Sequence, residues 1–218
     1  MTGYLGSKGG SGVYQKIISN MPAHDVYIEA FLGSGVIMKL MPGCHRRIGI
    51  DLDIDVLEPS MYPGVELLNC DSRDYIANFD YTGQRVFIYA DPPYLHSTRG
   101  KDRYKFEFDD QDHWKLLSLL NNVPVHVMIS GYPSVFYDYM LKDWRKIEFT
   151  AMSRGGKRTE CLWMNYPENT PLHTPMFAGV DYTDRQRIKR KAERWKKKFL
   201  SMPPGEQAAI LEALTGTG

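Results

Sequence analysis

The chain has little cysteine and no excess of either charge. Its three cysteines, Cys44, Cys70 and Cys161, are far apart and odd in number, so neither a disulfide framework nor a metal-ligand spacing can be read from them. Such sparse use is expected in a reducing, cytoplasmic location. Lysine and arginine total 27 against 26 for aspartate and glutamate, so net charge argues neither for nor against a polyanionic partner. No apolar run approaches the length that crosses a bilayer, and the first residues lack a charged segment followed by an apolar stretch. Neither a membrane partner nor a signal peptide is therefore expected. Internal repeats and low-complexity tracts are missing too.

What is present is alternation. Short apolar runs at 25–31, 47–52, 65–70, 86–90, 125–130, 146–152 and 161–166 read as strands, several of them bare enough to be covered on both faces. Helical patterns separate them at 36–41, 72–79, 109–121 and 134–141. In the third of these, Trp114, Leu117, Leu120 and Asn121 follow helical spacing, and Asp109, Asp110 and Asp112 sit at the favoured N-terminal end. The expected fold is α/β, a doubly wound, seven-stranded and mostly parallel sheet. Its last two strands should form an antiparallel hairpin around a polar loop at 153–159. Residues 4–21 read as a Gly-rich loop feeding a helix. The expected division is a domain at 1–166 and a basic helical extension at 167–218. Residues 181–198 hold nine lysines and arginines, among them Lys189, Arg190, Lys196, Lys197 and Lys198, opposed only by Asp181, Asp184 and Glu193.

Chemistry concentrates where the strands end. Asp91-Pro92-Pro93-Tyr94 follows the apolar run 86–90. The prolines fix φ and remove two backbone donors, leaving the Asp91 and Pro92 carbonyls available to accept from a ligand, beside an aromatic ring. A tight turn with a solvated aspartate is the plain alternative. Upstream, Glu29-Ala30-Phe31-Leu32-Gly33-Ser34-Gly35 places glycines where open α/β sheets bind nucleotides, although a third glycine of the dinucleotide fingerprint is missing. Asp51 ends the second strand, where a carboxylate can accept from ribose hydroxyls; Asp53 and Asp55 crowd it. Asp71 ends the third, as a helix N-cap, a partner for an exocyclic amine, or both. Glu29, Asp51, Asp71 and Asp91 thus share one carboxyl edge.

These motifs resemble the Dam-like (D12 class) adenine-N6 DNA methyltransferases, over roughly residues 3–166. Tyr4-Leu5-Gly6-Ser7-Lys8 matches their opening motif. Glu29 to Gly35 matches Glu-Pro-Phe-x-Gly-x-Gly except at Ala30, and Asp-Pro-Pro-Tyr is intact. The resemblance implies methyl transfer from S-adenosylmethionine to the N6 amino group of a flipped-out adenine, without a metal. It implies that Tyr4 and Lys8 help enclose the cofactor. Glu29, Phe31, Gly33 and Gly35 would pass along it, with Asp51 at its ribose and Asp71 near its adenine. Asp91 and Pro92 would grip the target amine, Pro93 would stiffen the turn, and Tyr94 would stack on the base.

The family's recognition insert before Asp-Pro-Pro-Tyr is missing, which leaves three other places for nucleic-acid contact. The first is 96–108, with His96, Arg99, Lys101, Arg103 and Lys105 beside Tyr104 and Phe106; a lid over the cofactor is its alternative. The second is the 153–159 loop, with Arg154, Lys157 and Arg158. The third is the basic run. DNA is the expected partner. RNA, cytosine-N4 methylation and an idle cofactor-binding subunit lending its fold to a recognition partner remain as alternatives.

Overall fold

In the computed structural model, residues 8–10, 12–99, 104–153 and 156–216 are described. They divide into two units, one running to Pro175 and the other starting at Met176. The first unit is built on seven strands: β1 (Val26–Glu29), β2 (Arg46–Asp51), β3 (Glu66–Asn69), β4 (Val86–Ala90), β5 (His126–Gly131), β6 (Arg145–Ser153) and β7 (Gly156–Met164). Their order is β3-β2-β1-β4-β5-β7-β6. The first five are parallel; β7 is antiparallel to both β5 and β6. This is the doubly wound, mostly parallel sheet with a C-terminal hairpin expected from the alternation.

The central strands bury every residue, Val26–Glu29 and Val86–Ala90 alike, because helices cover both faces. Val26, Ile28, Val86 and Ile88 share one core cluster with Ile76 of α3 (Ser72–Asn78), Leu116, Leu117 and Leu120 of α4 (Asp110–Asn122), and Tyr137 of α5 (Val135–Met140). Strand alternation sends Tyr27 and Phe87 to the opposite face, where their rings stack. There α1 (Val13–Ile18) and α2 (Val36–Leu40) bury Ile17, Ile18, Ile37 and Met38.

Two local readings change. The buried face of α4 is His113, Leu116, Leu117 and Leu120, and Trp114 turns outward at 54% exposure. The stripe starts one residue earlier because a capping box between Asp109 and Asp112 sets the helix phase. The polar loop expected at 153–159 is mostly ladder. Thr159, Arg158 and Lys157 pair with Thr150, Ala151 and Met152, since a two-stranded edge can expose polar side chains on a solvated face without losing its backbone bonds.

The first unit also extends beyond the expected boundary at Tyr166. Ala23 N–H donates to the Pro171 carbonyl, His173 N–H donates to the Met21 carbonyl, and His173 stacks on His24 with centroids 4.0 Å apart. The second unit contains α6 (Tyr182–Leu200), capped by Asp181, and α7 (Pro204–Thr215), closed by Gly216 in the left-handed conformation.

The sheet order reverses between β1 and β4. There the turn after β1 needs Gly35 at φ 59°, and a Cβ on it would be driven into the Tyr62 ring. Gly35→Ala should therefore cost about 1–3 kcal/mol of stability, measured as a lowered urea midpoint at unchanged m-value.

Candidate active site

Glu29 ends β1, and the backbone then turns through Gly33 (φ 49°) and Gly35 into α2. Gly33 N–H donates to Asp51 Oδ2 at 2.7 Å, and Asp53 N–H donates to Asp51 Oδ1 at 2.8 Å. Asp51 thus ties the turn after β1 to the turn after β2. Burial pushes its carboxyl upward, while these two backbone donors pull the other way. Glu29 lies deeper. Burial raises its carboxyl to about 8, against the opposing bond from the Tyr27 hydroxyl at 3.1 Å; nearby Asp91 adds to the rise.

Beside them, Asp91 sits at the end of β4 with its side chain 17% exposed. Its two oxygens are held differently. Ser130 Oγ, at the end of β5, donates to Oδ1 at 2.7 Å, and the Tyr89 hydroxyl lies 3.0 Å from the same Oγ. Lys8 Nζ pairs with Oδ2 at 2.7 Å. Lys8 also donates to the Tyr94 hydroxyl at 2.7 Å, and that hydroxyl donates to Glu160 Oε2 of β7 at 2.7 Å. Burial would lower the Lys8 ammonium; the Asp91 and Glu160 carboxylates overcome it and hold the group above its ordinary range.

These strand ends border a cleft of about 770 Å³, open solvent at its mouth included, within the range of small-molecule sites. Phe31, Tyr104, Phe106 and Phe108 supply aromatic wall. Glu29, Asp51, Asp53 and Asp91 supply four acids against Lys8 and Lys105. Both lysines are already paired, Lys8 with Asp91 and Lys105 with Asp53 at 2.6 Å and Asp55 at 2.8 Å. Even with Glu29 neutral the lining carries excess negative charge. Such a cleft disfavours a pyrophosphate and suits a cationic, flat ligand.

Compared by sequence, the chain matches no protein-family model and no curated protein. Its fold is similar to several solved structures. One is a dimethyladenosine transferase from Plasmodium falciparum, 12% identical with a TM-score of 0.44, over 69% of this chain and 60% of that one. Another is the 23S rRNA methyltransferase ErmE, 9% identical with a TM-score of 0.44, over 83% and 73%. A third is an rRNA methylase from Streptococcus thermophilus, 9% identical with a TM-score of 0.45, over 69% and 93%. At these identities the likeness is one of fold.

The structure brings Lys8, Glu29, Phe31, Gly33, Asp51 and Asp91 to the cleft, with Pro93 beside them. Pro92 and Gly35 stand in the same turns without lining it. Tyr94 differs from its expected role as an open stacking face. It is 5% exposed, packed edge-to-face on Tyr132, and its hydroxyl is fixed by Lys8 and Glu160. Asp71 does not line the cleft. It caps α3 through Arg73 N–H and is paired with the Arg73 guanidinium at 2.6 Å, which holds its carboxyl below the usual range.

Arg99, expected to face nucleic acid, turns inward instead. Its side chain is 7% exposed, donates to the Tyr94 carbonyl at 2.8 Å and pairs with Glu107. Lys157 and Arg158 stand exposed on β7, and Lys189, Arg190, Lys196 and Lys197 are exposed on α6. Tyr4, Lys101, Arg103 and Arg154 lie outside the described residues. Sequence reasoning missed Ser130, Tyr89 and Glu160. Ser130 had a signal, as the one hydroxyl at the end of an apolar strand; Glu160 had none, lying between the expected loop at 153–159 and the expected strand at 161–166.

Glu29 gives a test of the site's electrostatics. Its folded-state value lies above that of an unfolded glutamate, so its contribution to stability is full in acid and is lost as pH rises through about 8. Glu29→Gln removes that loss. Relative to the wild type, its denaturation midpoint should rise between pH 5 and pH 8.

Proposed function

We propose that the chain is an S-adenosylmethionine-dependent methyltransferase acting on the N6 amino group of adenine in nucleic acid. The observation that carries this reading is the meeting of Asp91 with the acidic, aromatic-walled cleft beside β1. A carboxylate held by Ser130 and Lys8 stands at the end of β4, next to a pocket whose charge suits a sulfonium-bearing nucleoside. The residues fit that cofactor. The aromatic wall offers faces to an adenine, Asp51 retains lone pairs for hydroxyls, and the glycine turn lets backbone approach closely.

When bound, the cofactor supplies a methyl carbon on positively charged sulfur that is open to attack by an amine. The chain's own work is to make a poor nucleophile better. An adenine amino group delocalises its lone pair into the ring. Hydrogen bonds from that NH₂ to Asp91 and to the Pro92 carbonyl favour a pyramidal nitrogen and stabilise the positive charge that develops on it. Ser130 and Lys8 fix the carboxylate so that this arrangement exists before substrate arrives, which is where positioning contributes to rate. A target in a duplex must leave the stack to reach the cleft.

DNA is the substrate class that the Asp-Pro-Pro-Tyr resemblance favours. One observation supports RNA or single strands as a second reading. Between β3 and β4 stand only α3 and a turn, so that connection holds no dedicated duplex-reading segment. Transfer of labelled methyl to duplex DNA, single-stranded DNA and RNA by the purified chain decides between them.

Two outcomes test the reading. Asp91→Asn should lower transfer by about a hundredfold or more while calorimetry still detects S-adenosylmethionine binding; full activity in this variant would refute the assignment. Neutralising Lys196, Lys197 and Lys198 together should weaken binding uniformly across sequences and flatten its salt dependence. An unchanged slope of log K against log salt would remove α6 from the contact surface.

A further inference from the structure

We propose that Glu160 is the proton acceptor behind Asp91, reached through Lys8 and Tyr94, and is a positioning residue for the transfer. The inference rests on the methyltransferase reading and deepens it. Methylation of a neutral amine leaves one proton to be disposed of at every turnover. Asp91 is the group that meets the amine, and it must be a carboxylate again before the next turnover.

The geometry provides a single-file path. Ser130 occupies Asp91 Oδ1, so the path leaves from Oδ2, 2.7 Å from Lys8 Nζ. Lys8 donates to the Tyr94 oxygen at 2.7 Å, and Tyr94 donates to Glu160 Oε2 at 2.7 Å. Beyond Asp91 the donors run in one direction, Lys8 to Tyr94 and Tyr94 to Glu160. The proton balance closes. The amine N–H bond breaks as an Asp91 O–H bond forms. Tyr94 gives its hydroxyl proton to Glu160 as Lys8 gives one of its three protons to the Tyr94 oxygen, and the lone pair this frees on Lys8 Nζ takes the proton from Asp91. Lys8 and Tyr94 end as they began, Asp91 is a carboxylate again, and Glu160 has become a neutral acid.

Charge counting agrees. Lys8 and Asp91 form an ion pair of no net charge, so the buried cluster carries one uncompensated charge, on Glu160, which is 7% exposed. One proton neutralises it. Burial already raises the Glu160 carboxyl, opposed by Lys8 and by the Tyr94 bond and aided by Asp91. Tyr89 in β4, Tyr132 after β5 and Cys161 in β7 are the other titratable groups that feel its charge, and all three are held protonated by burial. Glu160 lies on β7 beside the exposed Thr159 and Arg158, from which water can reset it between turnovers.

The acceptor must be ionised to work, so single-turnover transfer by the wild type should fall as pH drops through the raised Glu160 value. Glu160→Gln, which still accepts the Tyr94 bond, should lower the single-turnover rate roughly ten- to hundredfold and lose that acid limb, with unchanged affinity for S-adenosylmethionine. Glu160→Asp should restore the limb. If Glu160→Gln does not fold, Tyr94→Phe breaks the same chain and should lose the limb as well. Independently of activity, the side-chain carboxyl ¹³C resonance of Glu160, assigned through the backbone in the cofactor-free protein, should titrate above the ordinary glutamate range. Lys8→Met should raise it further. A wild-type acid limb in both Glu160→Gln and Tyr94→Phe, or a Glu160 that titrates normally, overturns the relay while leaving the methyltransferase reading intact. A folded wild type that transfers no methyl to any nucleic acid overturns both.

Discussion

The parallel pairing of β1 with β4 is the constraint from which the site follows. These strands are far apart in sequence, yet Glu29 stands opposite Tyr89 in the ladder. That register puts the glycine turn after β1 and the proline turn after β4 side by side on one edge. Because the chain winds outward in opposite directions from this seam, a cleft is left where the two windings part. A slip of one residue in either strand would turn Glu29 or Tyr89 to the other face. Complete burial of both strands penalises such a slip, since apolar and polar residues would exchange surroundings.

The edge that results is acidic, and the fold manages that charge in three ways. Glu29 is buried deeply enough to favour its neutral form. Asp51 is held by backbone N–H groups, which stabilise charge without a counter-ion. Asp91 receives a buried ammonium and a hydroxyl. Each device suits its depth, because an unpaired buried charge costs more than any single hydrogen bond returns. Asp71, just past the end of the outermost of the parallel strands, takes the solution open to a partly exposed residue, a helix cap with an arginine partner. The same carboxylate group, on one glutamate and three aspartates, is therefore handled in four different ways along one edge.

Much of this was legible in the sequence. Bare apolar runs and helical spacing gave the order of the strands and of the helices between them, with bounds within a residue or two except at the start of β7, and strand ends identified Glu29, Asp51 and Asp91 as neighbours. What stayed hidden depended on partners distant in sequence. Nothing near Arg99 announced that Glu107 and the Tyr94 carbonyl would turn it inward, so a basic residue in a basic and aromatic stretch read as a surface contact. Tyr94 could be recognised by its motif, but Lys8 and Glu160, which fix its hydroxyl, come from opposite ends of the unit. The hairpin misled for a physical reason. Polar residues in a solvated edge pair have the composition of a loop and the backbone bonds of a strand.

Lys105 spans the mouth of the cleft, bonded to Asp53 and Asp55 with more than half of its side chain in solvent. Its pair with Asp55 is exposed at both ends, and such pairs contribute little and weaken with salt. The crossbar is accordingly a latch and not a lock. A visiting molecule can displace it by a side-chain rotation, on the timescale of such rotations, with the sheet beneath undisturbed. Opening at this doorway is decoupled from the packing of the sheet behind it.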